Sequence, residues 1–206
     1  MEQAINELYE KADECKMAKM GCYGCTKLEY LESTGTRINS LNGIQYIDTK
    51  YILNYQSKLE FKAKCDNNNY GYFFKSGTYN QGNILYYGLE INYGQKKLGY
   101  YSQIKATIWN YSNSIIPENF EVVINRGKLK INNNLVYTRS LDYGECNTSC
   151  EIMRLGCKYY YFKLYDNDTL VRDYIPVLDK NNRPCLFDKV EKKCYYNQGS
   201  GEFLYG

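Results

Sequence analysis

The chain has 206 residues, a formal net charge of +3, 25 Tyr, 9 Cys, 1 Trp and no His. That length supports one sizeable core, and 44% hydrophobic against 24% charged residues is the balance of a globular protein rather than a disordered one. The missing histidine excludes Ser–His and Cys–His nucleophile pairs and His-ligated zinc or haem; without a long basic run, neither nucleic acid nor an anionic membrane is an expected partner.

The first residues, Met1-Glu-Gln-Ala-Ile-Asn-Glu7, are polar and acidic, unlike a signal peptide. No segment reaches the ~18 apolar residues of a membrane span, so membrane insertion is not expected. Nine cysteines are an odd number. Without an export signal they are expected to be reduced thiols of a chain folded in a cytoplasm.

Residues 3–22 read as a helix. Ile5, Leu8, Ala12, Cys15, Lys19 and Cys22 recur at alternating spacings of three and four, the a/d pattern of a coiled-coil seam. Two readings stand: an amphipathic helix docked on its own domain, or a short oligomerisation stalk, with a trimer as the expected state. Gly21-Cys-Tyr-Gly-Cys25 ends it, because two glycines in four residues break a helix. Residues 1–26 are thus a helix and Gly/Cys linker, an oligomerisation stalk or attachment segment, and 27–206 the β-sandwich domain.

From Lys27 the period changes to two. Leu59, Phe61, Ala63 and Cys65 alternate with Lys58, Glu60, Lys62 and Lys64, a half-buried strand. Further strands are expected at Tyr70–Lys75, Ile84–Asn92, Lys97–Gln103, Ala106–Tyr111, Phe120–Asn125, Lys128–Tyr137, Ile152–Leu155, Tyr159–Tyr165 and Leu170–Val177. Turns are expected at Asp66-Asn-Asn-Asn69, Asn125-Arg-Gly127, Asn132-Asn-Asn134 and Asp166-Asn-Asp168. Many short strands with short connections and no helix between them imply antiparallel pairing in an all-β sandwich or jelly roll. Glu202-Phe-Leu-Tyr205 is expected to return as a final strand pairing with Leu28–Leu31. Pro176 and Pro184 flank Leu178–Arg183, expected as an exposed loop. The abundance of Tyr, Asn, Lys and Ile follows a low-G+C codon bias and strand preference before any function is invoked.

Leu28-Glu-Tyr-Leu-Glu-Ser-Thr-Gly-Thr36, Gln45-Tyr-Ile-Asp-Thr49, the run Tyr161–Val177, Cys185-Leu-Phe-Asp-Lys-Val190 and Tyr196-Asn-Gln-Gly-Ser-Gly-Glu-Phe203 resemble one family. It is the laminin-G-like, concanavalin A-like domains of phage and prophage tail, fibre and minor structural proteins of gut bacteria. The resemblance covers both ends of residues 27–206. Arg37–Ile44 interrupts the family's usual opening, which implies a longer first loop. The resemblance implies a concanavalin A-like sandwich in a virion made in the host cytoplasm, or alternatively on a bacterial surface. It implies contact with a glycan or host surface and with other virion proteins.

Related sandwiches include glycoside hydrolases with catalytic acids as Glu-x-Asp-x(1–2)-Glu on one strand, a spacing that sets two carboxyls about 5–5.5 Å apart. The acidic segments here, Glu29 with Glu32, Glu90, and Asp166 with Asp168, do not reproduce it, so no catalytic residue is expected and a glycosidase is the third reading. Sugar binding requires only flat aromatic faces beside amides or carboxylates. The candidates are Trp109 with Tyr111, Tyr86 and Tyr87, Tyr93, and Tyr100 with Tyr101, with Trp109 also readable as a core residue. Oxygen-rich loops with Asp66, Asp166 and Asp168 have calcium-ligand chemistry, and equally that of ordinary Asx turns. Cys22-x-x-Cys25 with Cys146-x-x-x-Cys150 forms a candidate Cys₄ zinc site if the N-terminal segment folds back beside residues 146–150. Cys65, Cys157, Cys185 and Cys194 read as small buried hydrophobes. The expected function is a non-enzymatic structural or adhesion protein of a virion. Its alternative is a capsid or tail decoration that contacts only other virion proteins.

Overall fold

The structure is a computed structural model that describes residues 2–34, 45–65, 71–77, 79–80, 83–84, 86–91, 97–103, 110–115, 117–138 and 146–206. It opens with helix α1 (Glu2–Lys19), followed by β1 (Thr26–Lys27), β2 (Leu31–Glu32), β3 (Ile47–Asp48), β4 (Ser57–Lys64) and β5 (Gly71–Ser76). Next come β6 (Tyr79–Asn80), β7 (Asn83–Ile84), β8 (Tyr86–Ile91), β9 (Lys97–Gln103), β10 (Asn110–Ile115), β11 (Asn119–Asn125), β12 (Lys128–Ile131) and β13 (Asn134–Thr138). The chain ends with β14 (Glu151–Ile152), β15 (Lys158–Asp166), β16 (Thr169–Leu178), β17 (Pro184–Asp188), β18 (Lys193–Tyr195) and β19 (Leu204–Tyr205).

Among the described residues, one sheet runs β13-β12-β11-β4-β15-β16-β17-β18, with β1 on β16 and β2 joining β15 to β19. A second runs β10-β9-β8-β5-β14-β3. Every pairing is antiparallel. The molecule is the antiparallel sandwich that the strand pattern implies, with one short helix at its N-terminus.

Three tight hairpins set the register. Their central pairs Arg126-Gly127, Asn132-Asn133 and Asn167-Asp168 all have positive φ, between 45° and 77°. That is the two-residue hairpin turn whose twist matches its strands, and Asn, Asp and Gly are the residues that tolerate it. Lys128–Tyr137 is accordingly two strands rather than one. Of the predicted Ala106–Tyr111 strand, Asn110 and Tyr111 belong to β10, and residues 104–109 fall outside the described residues.

In β4 every second residue is buried, as the alternation implies. β15 breaks the rule: Tyr159, Phe162 and Leu164 are the buried members. The register against β4 slips between Tyr159 and Tyr161, and the inserted residue turns the rest of the strand over. A second slip in β5 lets Phe73 and Phe74 both enter the core. Phe162 lies parallel to Phe61 with centroids 5.0 Å apart, and Phe73 of the opposite sheet sits 5.3 Å from Phe61. These rings join the two layers.

The ends are tied as expected. Leu204 pairs with Glu32 and Tyr205 with Leu31, and the Glu29 N–H donates to the Gly206 carbonyl at 2.7 Å. Two cysteine pairs, Cys65–Cys157 and Cys22–Cys25, are bonded. This corrects the expectation that all thiols are reduced. Cys65 and Cys157 extend the β4–β15 register, where Lys64 already faces Lys158, so the ladder places them side by side.

Candidate functional site

A second, smaller core lies on the outer face of the large sheet. Val177, Cys185 and Phe187 are buried there against Met17, Cys22 and Cys25, with Ile175, Cys194 and Tyr196 packed around them. Tyr174, Leu186 and Tyr195, alternating with these along the same strands, belong to the main core. β17 is therefore covered on both faces, which explains its unbroken buried run from Cys185 to Asp188. The last turn of α1, the linker and β1 all rest on β16–β18.

The local chain path follows from two glycines. The Cys22 N–H donates to the Met17 carbonyl (2.9 Å) and the Gly21 N–H to that of Ala18 (2.9 Å). With Gly21 at φ +90°, this is the helix-ending motif that satisfies the last carbonyls and brings the following side chain onto the helix. That side chain is Cys22. Gly24, at φ +69°, then turns the chain so that Cys25 enters the same space, and a β-carbon there would lie 3.2 Å from Lys180 Cβ. Gly24→Ala is expected to cost about 1–2 kcal/mol of unfolding free energy in urea. The exposed neighbour substitution Tyr23→Ala should stay within about 0.5 kcal/mol.

The sulfur atoms of Cys22, Cys25 and Cys194 all lie within 4.8 Å of one another, and this is the group of metal-ligating side chains found among the described residues. Cys185 and Cys194 share a sheet face, because Cys194 is opposite Phe187 and Cys185 stands two residues before it. Their thiols are hydrogen-bonded, which holds Cys194 below the usual thiol range and, with burial, pushes Cys185 well above it. A cavity of about 320 Å³ adjoins the cluster, bordered by Lys180, Lys192 and Tyr196.

The loop at 179–183 forms its rim. The Asp179 carboxylate accepts the Asn181 N–H (2.8 Å), the Arg183 N–H (2.9 Å) and the Tyr196 hydroxyl (2.9 Å). Burial raises this carboxyl, but these donors outweigh it and leave it below the usual carboxylate range. The loop predicted as exposed therefore has a buried hinge at Asp179.

The other expected residues are arranged differently. Cys146 and Cys150 belong to the main core, where their N–H groups donate to the Leu53 and Tyr51 carbonyls. They do not join Cys22 and Cys25. Burial, then the neighbouring Cys146, pushes the Cys150 thiol well above its usual range. The zinc set read from sequence is corrected: the second pair beside the Cys-x-x-Cys is on the β17–β18 hairpin. The signal was present, since Cys185 and Cys194 flank the turn Lys189–Lys192.

The carboxylates at 166–168 serve the hairpin. Arg126 Nη2 contacts Asp168 at 3.1 Å and Asn167 at 3.2 Å, and Asn54 Nδ2 donates to Asp166 at 3.4 Å. Asp66 lies outside the described residues. The sequence reading also missed the buried carboxylates Asp173, Asp179 and Asp188. Lys189 Nζ lies 2.6 Å from Asp173, and Arg172 faces Asp188 at 3.6 Å and Glu191 at 2.7 Å.

Trp109 and Tyr93 fall outside the described residues. Tyr86 and Tyr87 are on β8, Tyr100 and Tyr101 on β9, and Tyr111 on β10. Tyr101 is opposite Gly88 and Tyr111 opposite Gly99, while Tyr100 is opposite the buried Leu89. The register thus places Tyr86, Tyr101 and Tyr111 on the sheet face opposite to that of Leu89, beside two glycine positions. Tyr87 and Tyr100 hold positions on the Leu89 face. Compared with known proteins, the chain matches no family model and no curated sequence.

Proposed function

We propose that the chain is a non-enzymatic adhesion or structural protein of a virion, a concanavalin A-like sandwich carried on a short oligomeric stalk. The observation that carries this reading is the helix. Its last turn is held by Met17 and the cysteine linker, whereas Ile5 (46% exposed), Leu8 (68%) and Tyr9 (70%) stand exposed. Ala12 and Cys15, also exposed, continue the same stripe. A helix with a free apolar stripe gains stability by packing against its own copies, and a trimer is the state proposed. Several weak sites displayed together gain avidity without new contacts.

Tyr86, Tyr101 and Tyr111, at matching register positions on β8, β9 and β10, are the proposed carbohydrate- or host-surface-binding residues, since aromatic rings accept flat pyranose faces. The bonded Cys65–Cys157 pair favours a final location outside a reducing cytoplasm, on a particle or alternatively a bacterial surface. Other virion proteins at the stalk's free end complete the proposed set of partners.

Sedimentation equilibrium of the intact chain tests the stalk. The expected result is a defined oligomer that becomes monomeric in Ile5→Asp/Leu8→Asp with the same circular dichroism in its β region. A monomeric mass for the intact chain at micromolar concentration overturns it.

A further inference from the structure

The geometry points to a tetrathiolate zinc site formed by Cys22, Cys25, Cys185 and Cys194, independent of the adhesion reading. Two elements far apart in sequence converge here: the glycine-turned linker after α1 and one face of the β17–β18 hairpin. Three of the sulfurs already lie within 4.8 Å of one another. Four thiolates bound to one zinc at 2.3 Å stand about 3.8 Å apart, so these three need shifts of the order of 1 Å, and Cys185, outside that group, has to turn toward them. Cys185, buried in the same side-chain cluster as Cys22 and Cys25 and on the same sheet face as Cys194, would supply the fourth corner.

The surroundings fit the charge. A Zn(Cys)₄ centre carries a net −2, and the adjoining cavity is bordered by two cations, Lys180 and Lys192, against one carboxylate, Asp179. Cys22 and Cys185 are 3% and 0% exposed beside Phe187 and Val177, and Cys194 is half-buried at the cavity. Four protein thiolates leave zinc no open position, the mark of a structural rather than a catalytic site. The consequence is mechanical, because the metal would fasten the base of the stalk to the sandwich through four bonds.

The site has two covalent states. In the structure Cys22 and Cys25 are bonded to each other, which is the oxidised state. Reduction by a dithiol delivers two electrons and two protons to the sulfurs, and the dithiol leaves as a disulfide. Zn²⁺ then replaces the four thiol protons and forms four Zn–S bonds. A newly made chain, with its thiols still reduced, enters the zinc state without the first step. Oxidation by a disulfide carrier reverses the sequence and releases the ion.

The test uses the intact chain, produced and purified with a phosphine reductant and no chelator. One zinc per chain by elemental analysis is expected. After chelator stripping, Co²⁺ should restore the intense visible bands and sulfur-to-metal charge transfer of a tetrahedral tetrathiolate. Cys194→Ser and Cys185→Ser should each abolish the four-sulfur spectrum, while Cys150→Ser should keep it. The reduced wild-type chain taking up no metal would overturn the proposal. So would a cobalt spectrum of fewer than four thiolates, or an unchanged spectrum in Cys194→Ser. Because the wild-type spectrum counts the sulfurs by itself, a variant that fails to fold leaves the proposal decidable.

Discussion

Asp188→Ala is expected to lower the unfolding free energy by about 3–5 kcal/mol, the range for breaking one side of a buried ion pair. Asp188 is fully buried. One carboxylate oxygen accepts the Asp173 N–H (2.9 Å) and the Val190 N–H (3.0 Å), and the other faces Arg172 Nε at 3.6 Å. Alanine orphans two backbone donors at once and leaves the Arg172 guanidinium only Glu191 as a carboxylate partner. Asp188→Asn separates the contributions. It keeps an acceptor for both N–H groups and removes the charge alone, so its cost should be smaller, about 1–3 kcal/mol. Urea melts of the three proteins measure both. Equal losses for Asn and Ala would show that the charge, not the backbone acceptor, holds this corner.

Phe162→Ala is expected to cost about 3–5 kcal/mol. The ring is 1% exposed. It stacks on Phe61 within its own sheet and meets Phe74 of the other sheet edge-on at 6.4 Å. Its removal opens a cavity between two layers that are held apart by their other side chains and cannot collapse into it. Phe162→Leu retains much of the volume and should cost less than half as much. A loss under about 1 kcal/mol for the alanine variant would mean that the sheets do not depend on this contact.

Much of the fold was legible because its signals are local. Alternation in Ser57–Lys64 reports burial directly, and the turn pairs Arg126-Gly127, Asn132-Asn133 and Asn167-Asp168 announce hairpins because Gly, Asn and Asp accept positive φ. The closing strand was legible through turn glycines and matching ends. The bulges in β15 and β5 were not, since one inserted residue leaves no compositional mark. Nor was the second core. A strand covered on both faces loses its alternation, and β17 at Cys185–Asp188 reads like any buried run until the helix end is placed over it.

The tyrosines divide in the same way. Several stand on the outer face of the large sheet beside lysines: Lys58 over Tyr165 at 4.4 Å, Lys158 over Tyr30 at 4.3 Å and Lys62 over Tyr160 at 5.2 Å. Each such contact contributes about 0.5–1 kcal/mol at an exposed site. The Lys/Tyr alternation that looks like codon bias therefore also covers a sheet surface. The cysteines were harder. A sequence offers many pairings of nine thiols, and only the fold shows that Cys22 and Cys25 meet Cys185 and Cys194 rather than Cys146 and Cys150.

Binding of the intact protein to a glycan array tests the adhesion reading most directly. The prediction is saturable binding to at least one glycan, weakened about tenfold or more by Tyr101→Ala. The monomeric Ile5→Asp/Leu8→Asp variant should fall by the larger factor that avidity supplies, about 10²–10⁴. An oligomer that binds no glycan, or binding unchanged in both variants, would contradict the account and leave a decoration protein that contacts only its own particle.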